Sequence, residues 1–324
     1  MPVLDTAAAK VPPPLWFAVS AVFHYLGPAF AVLLFPAVGV FGVAWMRIAS
    51  AALIFAPFTR PLRTIKVANR HTRMLLVALG LTLAAMNLSF YLALDRLPMS
   101  LVAAMEFVST ILIALYGLRS GRNFLALALA AAGVIVLIGF SWSSDLAGLG
   151  FSVLNAALFG VYIVLGHKAA EEGAGRGVEM LGAAMAVAFV AVFPIGISEV
   201  LGALSSPELI LAGVGVGLCS SVIPYVSDQL AMSRLPRATF ALMLALLPAT
   251  ATGVGAIVLF QIPSLRDILG IALVMGGVAL HKQPAAVADG QAISAGLENR
   301  SADIRRTGPT GRRTRCPTGR SSEG

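Results

Sequence analysis

Glu106 is an acidic side chain deep in an apolar stretch, and its position limits the chemistry that it can perform. Among the acids that precede the polar C-terminal segment, it is the one that lies well inside an apolar run, Ala104-Met-Glu-Phe107. A carboxylate in hydrocarbon is costly unless it is paired or protonated. Such a group can bind and release a proton, or hold a cationic ligand, as proton-coupled transport requires. The structural alternative is a permanent ion pair that fixes helix register.

Arg47 and Asn87 are predicted to lie at the same depth as Glu106. Arg47 and Glu106 each stand eight residues into their apolar runs, which at 1.5 Å per residue places both ~12 Å below one membrane face. Arg47 can pair with Glu106, or it can bind a substrate carboxylate through two hydrogen bonds and leave Glu106 for an ammonium group. An amino-acid substrate needs that pair of opposite charges.

Three further polar residues are candidates for binding or coupling. His24 lies near the middle of the first apolar run, where it is either a proton relay and cavity donor or a hydrogen-bonded interior histidine. Tyr225 and Asp228 follow Pro224 in the eighth run. Asp228 lies near the inner end of that run, which favours an interfacial or gating role over a binding one.

Other chemistries lack the residues that they require. Cys219 and Cys316 form neither a disulfide framework nor a metal-ligand spacing, and the four histidines stand in separate segments. No Gly-x-x-x-x-Gly-Lys-Ser/Thr loop occurs, so ATP hydrolysis is not predicted. An intramembrane enzyme needs a nucleophile with a base, paired aspartates or a histidine-rich metal set. We therefore predict a protein that is not an enzyme and that has no metal or cofactor.

The composition identifies the elements that must position these residues as membrane helices. The 324 residues are 58% apolar and 12% charged, whereas soluble domains average about 45–50% and about 25%. A membrane span needs about 20 apolar residues, and charges with Pro and Gly breaks divide the chain into ten of them. The predicted spans are 15–36, 39–58, 74–95, 98–117, 124–140, 149–167, 178–198, 208–232, 237–260 and 266–281.

The basic residues predict the orientation of these spans. With the N-terminus inside, thirteen Lys and Arg residues fall in the inner segments before the C-terminal tail, and only Arg96 and Arg266 fall outside. Lys and Arg of short loops stay on the cytoplasmic side, so both termini are predicted to be cytoplasmic. The net charge of +8 is then an orientation signal and no indication of nucleic-acid binding. Residues 1–14 form the cytoplasmic N-terminus, and 283–324 a disordered basic tail that either contacts anionic headgroups or is an unselected extension.

An internal repeat divides the chain into two five-span halves, 15–140 and 149–282. The segment Ala93–Met105 recurs as Ala231–Met243, each with an Arg-Leu-Pro turn between spans, and Ala126–Leu137 weakly matches the segment from Gly270. Five is an odd number, so the second half is predicted to cross the membrane in the opposite orientation. Inverted repeats of this kind are typical of secondary transporters. The alternative is a duplication that only built a stable helical bundle.

Several stretches resemble a known transporter family. They are Met86–Leu94, the first Arg-Leu-Pro segment through Phe107, Val161–Gly166 and Val222–Tyr225 with the second Arg-Leu-Pro. Over residues 15–282 the chain resembles EamA-type members of the drug/metabolite transporter superfamily, and within it the bacterial threonine/homoserine exporters. The resemblance implies a multi-pass inner-membrane exporter of small polar metabolites such as amino acids, coupled to protons and working by alternating access.

The same superfamily includes exporters of drugs and lipophilic cations, which is the alternative function. Arg47 disfavours it, since a cationic side chain that faces the cavity repels a cationic ligand. The chain also departs from the exporter pattern at three places, where it has Val32, Ser109-Thr110 and Leu247.

Overall fold

The computed structural model describes residues 12–117, 120–138, 145–172, 177–224, 227 and 246–280, and these residues form helices and no strand. The first half contains α1 (Pro13–Val38), α2 (Val40–Thr59), α3 (Pro61–Val67), α4 (Arg70–Leu94), α5 (Met99–Gly117) and α6 (Gly121–Ile138). The second half contains α7 (Leu146–Glu172), α8 (Gly177–Ala203), α9 (Pro207–Gly217) with a π-helical segment (Leu218–Val222), α10 (Leu247–Val258) and α11 (Leu265–Leu280). The predicted all-helical class is confirmed.

Six of these helices are long and apolar enough to cross a membrane. They contain the segments Leu15–Val38, Val40–Thr59, Arg70–Leu94, Gly121–Ile138, Leu146–Gly166 and Glu179–Ala203. Large apolar side chains also cover the outside of the bundle: Leu53, Val190 and Leu211 are 69%, 70% and 74% exposed. A helix satisfies its own backbone hydrogen bonds, which is the condition for lying in hydrocarbon. The protein is therefore a multi-pass membrane protein.

The helix boundaries differ from the predicted spans where capping residues extend a helix into a loop. α4 begins at Arg70 rather than at residue 74, because the side chain of Asn69 accepts a 2.8 Å hydrogen bond from the Thr72 N–H. The short helix α3 was not predicted; it begins at Pro61, a residue suited to a first helical turn. Both differences lengthen the helical structure next to the second predicted loop.

A single glycine joins α1 to α2, and an acid from α8 lies against this turn. Gly39 has a φ of 86°, a left-handed conformation that favours glycine. Glu199 Oε2 accepts a 2.7 Å hydrogen bond from the N–H of Gly42, the third residue of α2. The carboxylate thus satisfies one of the free amides at the start of α2 and interacts favourably with the helix dipole.

The helices of the two halves pack along one another. α6 packs along α11, α4 along α7, and α2 along α8. One buried cluster includes Tyr25, Tyr91 and Val274, and a second includes Leu76 and Val192. The candidate polar residues of the described helices lie close to these clusters, so tight helix packing determines where they meet.

Candidate functional site

A cavity of about 200 Å³ lies between helices of both halves. α1, α2 and α4 contribute His24, Arg47 and Asn87, while α7, α8 and the π-helical segment complete the wall. Its further polar lining is Tyr162, Ser220 and Ser221. Three of the predicted site residues therefore come from different helices to one cavity.

Arg47 is half-buried and its guanidinium has few partners. Its Nη2 lies 3.5 Å from the carbonyl oxygen of Ser220, and its Cζ lies 5.4 Å from the ring centroid of Tyr91. Within the described part of the chain, Nη1 is buried without a hydrogen-bond partner. A buried donor without a partner is costly, so the guanidinium is able to accept an anionic ligand at little loss of existing bonds.

Asn87 and His24 complete the polar side of the cavity. Asn87 Nδ2 donates a 2.8 Å hydrogen bond to the carbonyl oxygen of Leu83 in its own helix. The His24 ring packs edge-on against Tyr25, with the centroids 5.2 Å apart, and its side chain is exposed. Both side chains can therefore present polar atoms to a molecule in the cavity.

Glu106 lies apart from this cavity. It is not among the lining residues, and no ion pair joins it to Arg47 in the described structure, although the two charges are close enough to interact. Its Oε1 instead accepts a 3.1 Å hydrogen bond from Asn155 Nδ2 on α7. Of the three residues predicted at a shared depth, Arg47 and Asn87 line one cavity, whereas Glu106 contacts Asn155 outside it.

Two predicted site residues, Tyr225 and Asp228, lie outside the described residues. The second Arg-Leu-Pro segment and the C-terminal tail lie outside them as well. These predictions remain as stated.

Sequence reasoning missed Asn155. It is fully buried in α7, an amide within an apolar run just as Asn87 is. That similarity is the signal by which it could have been found. Its contact with Glu106 had no counterpart in sequence spacing, because the two residues belong to different halves of the chain.

At the start of α7, a charged pair joins two loops. Arg96 Nη1 donates a 2.9 Å hydrogen bond to Asp145 Oδ2, and the Gly148 N–H donates a 3.0 Å hydrogen bond to Asp145 Oδ1. The bond from Gly148, followed by that from Arg96, lowers the pKa of Asp145 below its usual value. Asp145 therefore carries a negative charge at neutral pH next to the first turn of this helix.

The described residues contain no group of three or more His, Cys, Asp or Glu that could hold a metal ion. The arrangement around Arg47 is instead suited to reversible binding of a small polar molecule. Together with the helical fold, this site is typical of a membrane transporter.

Comparison with known proteins finds a family similar to part of the chain. Residues 146–281 match the EamA-like transporter family. This match confirms the predicted resemblance over the second half of the chain.

The named relatives are exporters. Over 270 residues the chain is 29% identical to the threonine/homoserine exporter RhtA of Salmonella typhimurium, covering 81% of this chain and 90% of that protein. It is also 29% identical to the RhtA of Escherichia coli K12, over 72% of this chain and 78% of that protein. A protein crystal structure with 18% identity and a TM-score of 0.53 covers 82% of this chain and 94% of its own, and it supports the fold alone.

Proposed function

We propose that the protein is a secondary exporter of small polar metabolites, with amino acids such as threonine and homoserine as substrates and protons as the coupling ion. The observation that carries this proposal is the Arg47 guanidinium, whose Nη1 is buried without a partner in the described structure, beside a largely apolar cavity of about 200 Å³ that also presents a few polar side chains. A carboxylate is the ligand that a guanidinium binds through two hydrogen bonds. Glu106, which lies apart from the cavity, is the acid that we assign to binding and release of the coupling proton.

The proposed mechanism is alternating access of two inverted five-helix halves, ten membrane helices in all. The contacts of α6 with α11 support this symmetry. Gly133 and Gly277 are counterparts in the repeat, as are Ala126 and Gly270. A Cβ on Gly133 would lie 2.6 Å from the carbonyl oxygen of Gly270, and a Cβ on Gly277 would lie 2.6 Å from that of Ala126. Such reciprocal contacts are the property of a two-fold interface.

The contacts of α2 with α8 support the same symmetry at two places. Gly42 lies against Glu199, and Gly182 lies against Thr59. In the chain, Gly182 follows Gly42 by the same interval as Glu199 follows Thr59. The two close approaches are therefore related by exchange of the halves.

Whole helices follow the same symmetry. The third and sixth predicted spans pack together as α4 and α7. Their counterparts in the repeat, the eighth and first spans, also pack together, as α9 with its π-helical segment and α1. The cavity is lined by both halves, so a movement of one half against the other would open it to alternate sides. We place the protein in the inner membrane with both termini cytoplasmic, on the basis of the basic inner loops.

Everted membrane vesicles test the proposal. A proton gradient, acidic inside, should drive uptake of labelled threonine or homoserine, and a protonophore should abolish it. We expect Glu106→Gln to reduce this uptake at least tenfold, because the amide cannot exchange the proton. Glu208→Gln is the matched control, since Glu208 is an exposed acid in the first turn of α9.

Two results would contradict the proposal. One is the absence of gradient-driven uptake of either amino acid, and the other is a Glu106→Gln variant that transports like the wild type. Resistance of expressing cells to lipophilic cations, without amino-acid export, would favour the drug-exporter alternative.

A further inference from the structure

Asn155 is the side chain that contacts Glu106 across the two halves of the chain. Its Nδ2 donates a 3.1 Å hydrogen bond to Glu106 Oε1, and the Asn155 side chain is fully buried. The bond joins α7 to α5, which pack against each other. We propose that Asn155 is a positioning residue that holds the Glu106 carboxyl in both its charged and its neutral form. This inference rests on the proposed coupling role of Glu106.

The chemistry of an amide suits this task. A carboxylate only accepts hydrogen bonds, whereas a carboxylic acid also has one O–H to donate. Asn155 now donates through Nδ2, and in the described structure its Oδ1 is buried without a partner. A half-turn of the amide places Oδ1 where it accepts from a protonated Glu106. Neither an apolar side chain nor a second carboxylate satisfies both states in this way.

The buried face of α7 supports the assignment. Within the span Leu146–Gly166 the buried positions are Gly148, Ser152 and Asn155. They are spaced four and three residues apart, so they form one stripe. A helix that only filled a core would bury apolar side chains there. Instead α7 buries two polar ones, and the Ser152 Oγ also has no hydrogen-bond partner in the described structure.

The surroundings of Glu106 contain few other charges. Its charge interacts with Arg47 on α2 and with the hydroxyl of Tyr25 on α1. The helices that pack against α5 also contain Tyr91 on α4 and Tyr162 on α7. Their acidic, basic and histidine residues stand towards helix ends: Arg70, His71, Arg73 and Asp95 on α4; Arg122 on α6; His167, Lys168, Glu171 and Glu172 on α7; and Arg266 and Asp267 on α11. Asn155 is thus the described neighbour that bonds the carboxyl directly.

Infrared difference spectroscopy of the purified protein, between acidic and alkaline pH, tests this inference without transport. The C=O band of the protonated carboxyl is identified by its loss in Glu106→Gln. We expect Asn155→Leu, which has a similar volume, to move this band to higher wavenumber because a hydrogen bond is lost. Asn155→Gln should leave the band near its original position. Ser89→Ala is the control, since buried Ser89 bonds carbonyls of its own helix.

Transport by the same variants gives the second readout. Asn155→Leu should lower gradient-driven threonine uptake at least tenfold, and Asn155→Gln should restore most of that uptake. In a Glu106→Gln background, adding Asn155→Leu should reduce threonine binding by less than a further twofold. An unmoved band in Asn155→Leu overturns the inference, and so does an effect that adds fully to that of Glu106→Gln. If Asn155→Leu does not fold, Asn155→Thr takes its place. If the band moves in Asn155→Leu but the wild-type protein takes up no amino acid, the Asn155–Glu106 contact is supported and the proposed function is rejected.

Discussion

At the scale of single residues, Arg47 carries a positive charge into the helix bundle with little to balance it. The guanidinium has a long contact to the Ser220 carbonyl and lies over the Tyr91 ring. A charged group in a membrane interior is energetically costly and usually functional. That cost is reduced when an anionic ligand binds, which makes Arg47 suited to reversible recognition of a carboxylate.

Replacing Arg47 should therefore weaken substrate binding in a graded way. We expect Arg47→Met to lower the affinity for threonine about ten- to a hundredfold, because hydrogen bonds to a charged group contribute about 1.5–3 kcal/mol. The affinity of Arg47→Lys should lie between those of the wild type and Arg47→Met, since lysine keeps the charge and loses the bidentate hydrogen bonding. Competition for labelled threonine in vesicles measures both. Arg63→Met, at an exposed position of α3, is the control, and equal affinity in Arg47→Met and wild type would exclude Arg47 from the binding site.

At the scale of helices, small residues determine how closely α6 and α11 approach. Gly133 and Gly277 each lie against a backbone carbonyl of the opposite helix. Small residues at such positions let helix backbones pack closely in a membrane. A Cβ added to neighbouring Gly276 would meet no atom of another described helix within 4 Å, so α11 offers a tight and an open glycine side by side.

This pair of glycines gives a direct test of the packing. We expect Gly277→Ala to destabilise the protein by about 1–3 kcal/mol, because the added methyl group overpacks the interface. Gly276→Ala should be neutral or stabilising, since alanine is the better helix former. Thermal unfolding of both variants in the same detergent measures the difference. Similar melting temperatures for the two would contradict the described α6–α11 interface.

At the scale of the whole molecule, the proposed orientation places the α3 region inside and the loop between α8 and α9 outside. The basic residues Arg60, Arg63 and Lys66 lie in the first of these segments. Ala68, which is half-buried, follows α3, and Ser205, which is exposed, lies in the loop after α8. They allow the orientation to be measured from both sides.

Labelling of single cysteines tests this orientation. In a background that carries Cys219→Ser and Cys316→Ser, a membrane-impermeant maleimide should label Ser205→Cys in intact cells. It should label Ala68→Cys only after the membrane is permeabilised, because positive loops are retained in the cytoplasm. The opposite pattern would reverse the topology, and labelling of both in intact cells would contradict the number of spans.

Sequence alone determined the helical membrane fold and predicted a common depth for the polar residues. Composition and run length suffice for the first, because a membrane span must be both apolar and hydrogen-bonded within itself. A constant rise per residue suffices to predict the second, and Arg47 and Asn87 line the same cavity. Both are properties measured along a single helix.

Only the tertiary structure decided which residues at that level are neighbours. Glu106 meets Asn155 and not Arg47, and Glu199 of α8 caps the start of α2. These contacts depend on how each helix is rotated about its axis and on which helices stand side by side. Packing between distant parts of the chain sets both, and no spacing within one segment records it.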